Sequence, residues 1–541
     1  MKGAMVATLC IVFSKILGII YVIPFHAIIG QDGRSLYGYA YNMYTLFLSF
    51  STVGIPLAIS KMVTEYNVLG YHNVKNRTYS LARKITIIVS TVAAVVLFIF
   101  SPFIAKIIIR DLEGGNTVYD IAYVLRATAT TLITVTILSS LRGYLQGHKY
   151  ITASSLSQVI EQFVRVVVII FGSYFAVRIW GKNEAIAVAM SGATAGSIAA
   201  LIYLELKMRK HRQKEKNHIE LEEEKKITNK DLFKKLLSYT VPFIVVSIAI
   251  TLYNSIDVMT LLKPLVKYAN LSVREAETVV SVISAWGAKL NSIVTSIAAG
   301  VVVSVLPNVT GDYVKGDLKA VQSKINKTLQ TVLFFVIPMV AGLSFLAKPV
   351  WYLFYDKNEL CISMFKYSIC TAVFYSVFLN IYTIMQSVDR QKVANRTLII
   401  GVLSKFILNI PLVILFSKIS FIPAYYAATT ATIIAYIIPI VLNIRDLKKN
   451  LKIKFKPAFL SLINTIVSTI VMVIVLNLLK MFIPLEGNKF YSLIIVLVYS
   501  ILGAIAYGIM CIKTKNFKNI FGHSIGDFIK SKLNRKKHKN V

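Results

Sequence analysis

Charge is scarce in this chain, and acid is scarcest. Only 16% of its 541 residues are charged, with 25 acids against 60 bases and a net charge of +35. A soluble domain carries about 25% charged residues, so the positive balance does not read as that of a soluble nucleic-acid binder. The four cysteines, Cys10, Cys361, Cys370 and Cys511, stand in apolar stretches and form no CxxC. They read as small hydrophobes, and no metal site is implied. The seven histidines (His26, His72, His148, His211, His218, His523, His538) fall in loops, tails or span ends, which argues against an acyltransferase with a mid-membrane histidine. A lipid-linked glycosyltransferase needs paired acids in an early outer loop, and the first such loop offers only Asp32. No GxxxxGK[ST] run is present, so nothing points to an ATPase. No cofactor is expected.

What the chain has is apolar length. Hydrophobic residues make up 56% of it, with mean hydropathy +0.66. Runs of about 20 apolar residues recur from end to end, the mark of membrane-crossing helices. Fourteen are expected, centred near Leu17, Leu48, Ala94, Leu132, Val166, Thr194, Ile248, Thr295, Val340, Val373, Ile407, Ala431, Ser468 and Ile501. The fold class is therefore an all-α integral membrane protein, because lipid leaves no water to satisfy open backbone groups. The first run, residues 4–30, is longer than a signal-peptide core and is read as a retained helix. With the N-terminus placed inside, 41 Lys and Arg fall on the cytoplasmic side and 13 outside, so both ends are expected in the cytoplasm. Residues 1–206 form an N-lobe of six helices and 207–236 a charged, flexible cytoplasmic linker. Residues 237–445 form a C-lobe of six helices, 446–515 two further helices, and 516–541 a basic tail.

The two lobes look duplicated. Shifted by 246, Gly54 falls on Gly300 and Gly70 on Gly316; shifted by 240, Gln146 falls on Gln386 and Arg165 on Lys405. Halves that start on the same side are parallel repeats. Arg165 and Lys405 are cations inside apolar helices, which cost about 2.5–3.5 kcal/mol each even on a lenient scale. Lys15 and Lys289 are two more, against the acids Glu161 and Asp257. The set stays net positive even if both acids pair, and an anionic substrate would balance it. Glu161 and Arg165 are four apart, so a self-neutralising pair is one expectation. Asn254 precedes Asp257 in the seventh helix. Arg126 and Lys366 read as snorkelling side chains, and Arg34 as solvated in the outer loop GQDGRS. Gly18 and Pro24 in the first helix and Gly54 and Pro56 in the second interrupt helices and are candidate hinges.

Three stretches carry a family resemblance: SKILGIIYVIPF at 14–25, YNMYTLFLSFSTVGIPLAISKMVTEYN at 41–67 and LRGYLQGHKYITASSLSQVIEQFVRV at 141–166. The sequence resembles the polysaccharide and lipid-linked oligosaccharide flippases of the MATE-like exporter superfamily. Within it the YtgP branch of the MurJ lipid II flippases stands nearest, with the SpoVB sporulation proteins beside it. The resemblance implies a 6+6 pseudo-twofold bundle with a central cationic cavity, and a groove lined by helices 13 and 14 for a polyprenyl tail. It implies cavity charge at the Ser14–Lys15 pair and at Lys289. The chain departs from the Gram-negative pattern at Tyr21, where a second arginine is usual, and over residues 46–54, which lack one. The partners implied are lipid II or a related polyprenyl-pyrophosphate glycolipid, the surrounding lipids, and a coupling ion or the membrane potential, with a monomer expected. The location implied is the cell membrane of a Gram-positive bacterium. The readings set beside it are an exporter of another lipid-linked precursor such as a teichoic or capsule unit, a sporulation role, a cationic-drug antiporter, and a non-transporting scaffold.

Overall fold

The computed structural model describes residues 10, 13–52, 54–110, 112–148, 150–212 and 222–522. Every regular element among them is a helix. Among the described residues, twelve helices are long and apolar enough to cross a membrane. This count differs from the expected fourteen at two places. Phe13–Val68 is one helical run of 56 residues, more than twice the ~20 of one crossing. Gly287–Val314, at 28 residues, has the length of a crossing but is not among the twelve. The chain forms two compact units, Met1–Ala285 and Trp286–Val541.

The first unit holds α1 (Val22–Thr52), α2 (Gly54–Val68), α3 (His72–Ile109), α4 (Val118–Gly147), α5 (Ile151–Val167), α6 (Ser173–Ile179), α7 (Lys182–Arg212), α8 (Glu222–Lys226), α9 (Asn229–Thr260), α10 (Leu262–Ala269) and α11 (Val273–Ser281). Residues 13–20 are also helical, and the helix breaks at Tyr21. Pro24 accounts for the break, since it has no N–H to return to the carbonyl four residues earlier. The expected outer loop GQDGRS is not a loop. It is reduced to Gly30, whose φ of 67° and ψ of −173° kink an otherwise continuous helix. Arg34, expected to be solvated, donates from Nε to the freed Gly30 carbonyl at 2.9 Å. His26 lies buried within α1 rather than in a loop.

One end of this unit is a core of Ile55, Ile59, Met62, Val74, Leu141 and Leu204 with their neighbours. The connector after α7 folds back onto it. Glu224 of α8, 1% exposed, accepts hydrogen bonds from the N–H groups of Asn73 (3.0 Å) and Val74 (3.3 Å), capping the start of α3. Lys235 of α9 pairs with Glu65 of α2 at 2.6 Å. The middle of the connector, residues 213–221, lies outside the described residues, as does the basic tail beyond 522.

At the other end, Glu277 of α11 gathers three elements. Its carboxylate accepts from the Asn116 N–H (3.0 Å) and the Asn116 Nδ2 (2.9 Å), while Asn116 Nδ2 also reaches the Asp32 carbonyl at 3.3 Å. Gln31 Nε2 donates to Thr278 at 3.2 Å. Gly115 permits the approach, because a Cβ there would lie 2.9 Å from Glu277 Cδ.

The second unit holds α12 (Gly287–Val314), α13 (Leu318–Phe345), α14 (Ala347–Phe354), α15 (Glu359–Ser368), α16 (Thr371–Ser387), α17 (Gln391–Ser417), α18 (Ala427–Leu451), α19 (Lys456–Lys480), α20 (Lys489–Lys513) and α21 (Asn516–Phe521). Buried amides lock α19 to its neighbours. Gln330 Nε2 donates to the Pro457 carbonyl at 2.9 Å, and Asn516 accepts from Ser461 at 2.8 Å and donates to Thr465 at 3.0 Å. The outer faces of α19 and α20 stay apolar and exposed, as at Phe459, Ile470, Ile501 and Ile505.

The turns that close helices reproduce the sequence repeat. Gly70 and Gly316 both take positive φ, 76° and 75°, which glycine adopts without a Cβ clash. The hydrogen bonds there correspond one for one: Tyr71 N–H to Tyr66 and His72 N–H to Gly70, against Asp317 N–H to Asp312 and Leu318 N–H to Gly316. After Gln146 and Gln386 the match recurs, Tyr150 N–H to Leu145 at 2.9 Å and Arg390 N–H to Met385 at 2.8 Å.

Burial raises the Glu277 carboxyl from its ordinary 4.5 to about 7, against the pull of the Asn116 hydrogen bonds; Asp32 raises it further and Arg274 opposes. Tyr39 of α1 also faces it. An acid whose folded pKa is raised adds stability in full below about pH 4.5 and loses it as pH climbs through about 7. We expect the thermal midpoint of the purified protein to fall between pH 5 and 8, and Glu277→Gln to flatten that fall by about 3 kcal/mol. A Glu277→Gln profile parallel to the parent's would show that another group governs it.

Candidate functional site

The cations expected in the interior have different surroundings. Lys15 is exposed, on the helical stretch before Tyr21. The Oγ of Ser14 beside it is buried with no hydrogen-bond partner among the described residues. Lys289, half-buried in α12, places its Nζ 4.5 Å from the Trp286 ring centre, a cation–π contact. Trp286 is held in turn by Tyr355, whose hydroxyl donates to its carbonyl at 2.9 Å. Lys405 is fully buried in α17 beside the equally buried Asn409 one turn on, so in this conformation it offers no open charge. Asp257 is fully buried in α9, whereas Asn254 is exposed.

Arg165 is the cation with the most developed setting. It lies fourteen residues into α5, about 20 Å along the helix, and is half-buried. The expected Glu161–Arg165 pair does not form. Glu161 Oε2 is taken by Arg142 Nη1 of α4 at 2.8 Å, and Arg142 Nε donates to Ser157 Oγ at 2.8 Å. Geometry explains the choice. Two donors of one guanidinium fork reach Ser157 and Glu161, which lie four residues apart on one face of α5. Arg165 itself makes no hydrogen bond or ion pair among the described residues. Four tyrosines lie within electrostatic reach of it: Tyr37, Tyr44 and Tyr41 of α1, and Tyr21 at the helix break. The Tyr21 and Tyr37 hydroxyls are 3.3 Å apart, and the Tyr37 and Tyr41 rings stack at 5.8 Å.

Small residues bring the helices this close. A Cβ on Gly18 would sit 3.3 Å from Gln162 Nε2, and one on Gly192 3.1 Å from the Arg165 carbonyl. Gly196 of α7 lies against the Glu161 carbonyl with no room for a Cβ, which would also come within 3.3 Å of Arg165 Cβ. Gly54 fits closely against the Thr240 carbonyl of α9, where a Cβ would lie 2.7 Å from it. Pro56 stands in the first turn of α2, where a missing N–H costs nothing. One turn beyond Arg165, α5 widens into a π turn, Val168–Gly172. In α17 the equivalent stretch holds Pro411, so both helices are irregular just past their cation.

Two features of this site were not anticipated from the sequence. Arg142 stands inside α4, near its end, where it reaches α5. The tyrosines at 37, 41 and 44 follow four-and-three spacing, one face of a helix, and that periodicity was the available signal. A guanidinium with phenol hydroxyls near it and no ion-paired carboxylate among the described residues forms a donor-rich, net-positive cluster of the kind that suits an oxyanion.

Solved structures place the fold in a class. The chain aligns over 95% of its length with 99% of "Lipid II flippase MurJ, inward closed conformation", at TM-score 0.67 and 14% identity. It aligns over 82% with 99% of an inward-facing multidrug resistance MATE family transporter of the MOP superfamily, at TM-score 0.62 and 12% identity. The fold is therefore that of the MATE-like transporters, and the protein is a multi-pass membrane protein. A family model described as "Polysaccharide biosynthesis protein" matches residues 1–298. "Lipid II flippase MurJ" of Bacillus subtilis (strain 168) is 30% identical over 430 residues, 76% of this chain and 77% of that protein. The chain belongs to the polysaccharide biosynthesis protein family, in its MurJ-like branch.

The glycine contact gives a test of the site's geometry. Gly196→Ala is expected to destabilise the purified protein by about 1–3 kcal/mol, because a backbone carbonyl cannot yield to the added methyl. Gly508→Ala, in α20 with nothing within 4 Å of the new Cβ, serves as the neutral control. Equal thermal midpoints for the two would mean that α7 and α5 are less closely packed than described.

Proposed function

We propose that this protein is a flippase that carries an undecaprenyl-pyrophosphate-linked cell-wall precursor, lipid II, from the inner to the outer leaflet by alternating access. The observation that carries the reading is the Arg165 pocket. A guanidinium deep in a membrane helix has a neighbouring acid one turn away, yet that acid is engaged elsewhere. Leaving a cation without a carboxylate in this setting is costly, and a pyrophosphate oxygen repays the cost. Lys15 and Lys289 add charge for the rest of the headgroup, and Lys405 joins when its surroundings open. Gly18, Pro24, Gly54 and Pro56 serve as hinge points, and the exposed apolar faces of α19 and α20 as the path of the polyprenyl tail. The substrate assignment is supported by the MurJ relative in Bacillus subtilis. The distribution of Lys and Arg supports cytoplasmic ends and an inward starting side. Each charge that crosses the bilayer is worth about 2.3 kcal/mol per 100 mV, enough for the membrane potential to reset the cycle. A cationic-drug antiporter needs a net acidic pocket, the opposite of this one.

In a bacterial strain depleted of its lipid II flippase, the parent chain is expected to restore growth and lipid II accessibility at the outer surface. Arg165→Ala, Lys15→Ala and Lys289→Ala are each expected to reach the membrane and fail to do so. Full rescue by all three removes the cations from the mechanism. Rescue of another lipid-linked polymer pathway, but not of lipid II, would move the substrate assignment to that precursor.

A further inference from the structure

The Arg142–Glu161 ion pair has a place in this site beyond joining two helices. Glu161 is one helical turn from Arg165, within easy reach of it. A Glu161–Arg165 pair would put a carboxylate where the anion is meant to bind. Arg142 prevents this by geometry. Its Nη1 holds Glu161 Oε2 at 2.8 Å while its Nε is fixed by Ser157 Oγ at 2.8 Å. Ser157 is itself anchored by donating to the Ser154 carbonyl at 2.6 Å. The remaining Arg142 Nη2 is buried with no hydrogen-bond partner among the described residues, so the guanidinium gives up one hydrogen bond to keep this pose. Both side chains of the pair are only about one-sixth exposed, at 15% and 16%. Gly196 presses on the Glu161 carbonyl and limits how far that residue can shift.

We propose that Arg142 is a positioning residue: it sequesters Glu161 so that Arg165 stays uncompensated inside the tyrosine pocket and selects a pyrophosphate-bearing substrate. The inference rests on the reading of Arg165 as the anion site. It makes the selectivity of the pocket depend on a residue that does not touch the ligand. Without Arg142, Glu161 swings to Arg165, cancels its charge and lowers affinity for the anion. Removing the acid as well leaves Arg165 positive again. The prediction is thus a second-site rescue by loss of a carboxylate, which a residue that binds the substrate directly does not show.

The test uses the full-length protein in detergent micelles, titrated with undecaprenyl pyrophosphate, with affinity and number of binding sites read separately. Arg142→Ala is expected to weaken binding about tenfold at unchanged site number, and Arg142→Ala with Glu161→Gln to return it to within about threefold of the parent. Glu161→Gln alone is expected to bind at least as well as the parent, and Arg142→Lys to retain most of the affinity. If the pair is merely structural, Arg142→Ala loses binding sites while the folded remainder keeps the parent affinity, and the proposal is overturned. It is overturned equally if the double variant stays as weak as Arg142→Ala, which makes Arg142 a direct ligand. An Arg165→Ala variant that binds like the parent overturns this inference together with the anion site. An Arg165→Ala that fails beside an unrescued double variant overturns this inference alone.

Discussion

A guanidinium in a membrane interior is tolerable only if something answers its charge, and in the first unit the acid nearest to it is committed elsewhere. Arg165 has an acid one turn away and does not use it. Arg142 takes the acid, Ser157 fixes Arg142, and glycines at 192 and 196 bring α7 hard against α5 so that none of these groups drifts. What remains around Arg165 is phenolic. A hydroxyl dipole near a buried charge can lower its cost, yet it does not cancel the charge. Hydroxyls can also turn and donate to an incoming oxyanion. Carboxylates in the same places would neutralise the site and turn its preference toward cations.

The duplication supplies the frame, and the differences between its halves supply the chemistry. The glycine turns at 70 and 316 and the turns after Gln146 and Gln386 carry matched hydrogen bonds, which shows that each half positions its helices by the same local rules. The equivalent cations then diverge. Arg165 is half-buried with a tyrosine face before it, and Lys405 is sealed beside Asn409. The residue matching Glu161 is Gly401, so the second half has no acid to sequester and no need of an Arg142. Even the helix irregularity is met by different means, a π turn past Arg165 and a proline past Lys405. A shared backbone plan thus carries one elaborated cation and one stored in the core.

The sequence made the architecture readable because hydropathy and helix-closing glycines act locally. Apolar runs, the Gln-plus-cation repeat and the interior placement of Arg165 all follow from patterns within a few turns. What failed were partner assignments. Glu161 and Arg165 satisfied the i,i+4 rule, but an isolated helix rule cannot see a second arginine arriving from α4 with better geometry. The loop GQDGRS had turn-forming composition, yet one glycine at positive φ was enough, with Arg34 reclaiming the lost carbonyl hydrogen bond. With Gly401 where Arg165 has Glu161, sequence alone gives Lys405 no acid one turn away. Burial by α17 and its surroundings, invisible in a one-dimensional reading, makes it the less accessible one.

The tyrosine pocket also bears on how this branch manages with fewer arginines in its first two helices. Tyr21, at the position where the resemblance implies a second arginine, shares a hydroxyl contact with Tyr37 at 3.3 Å and lies within electrostatic reach of Arg165. Replacing a fixed cation by a phenol trades attraction for adaptability. A second arginine would raise affinity for pyrophosphate but would repel Arg165 when the pocket is empty. On the proposed reading, a phenol steadies Arg165 when no ligand is present and donates to the ligand when one is. A transporter must release what it binds, and a site whose empty state is not strongly strained returns to its starting conformation at lower cost. On that argument the loss of an arginine at Tyr21 is compensated by hydroxyl donors, with Arg165 supplying the charge and Arg142 keeping it unspent.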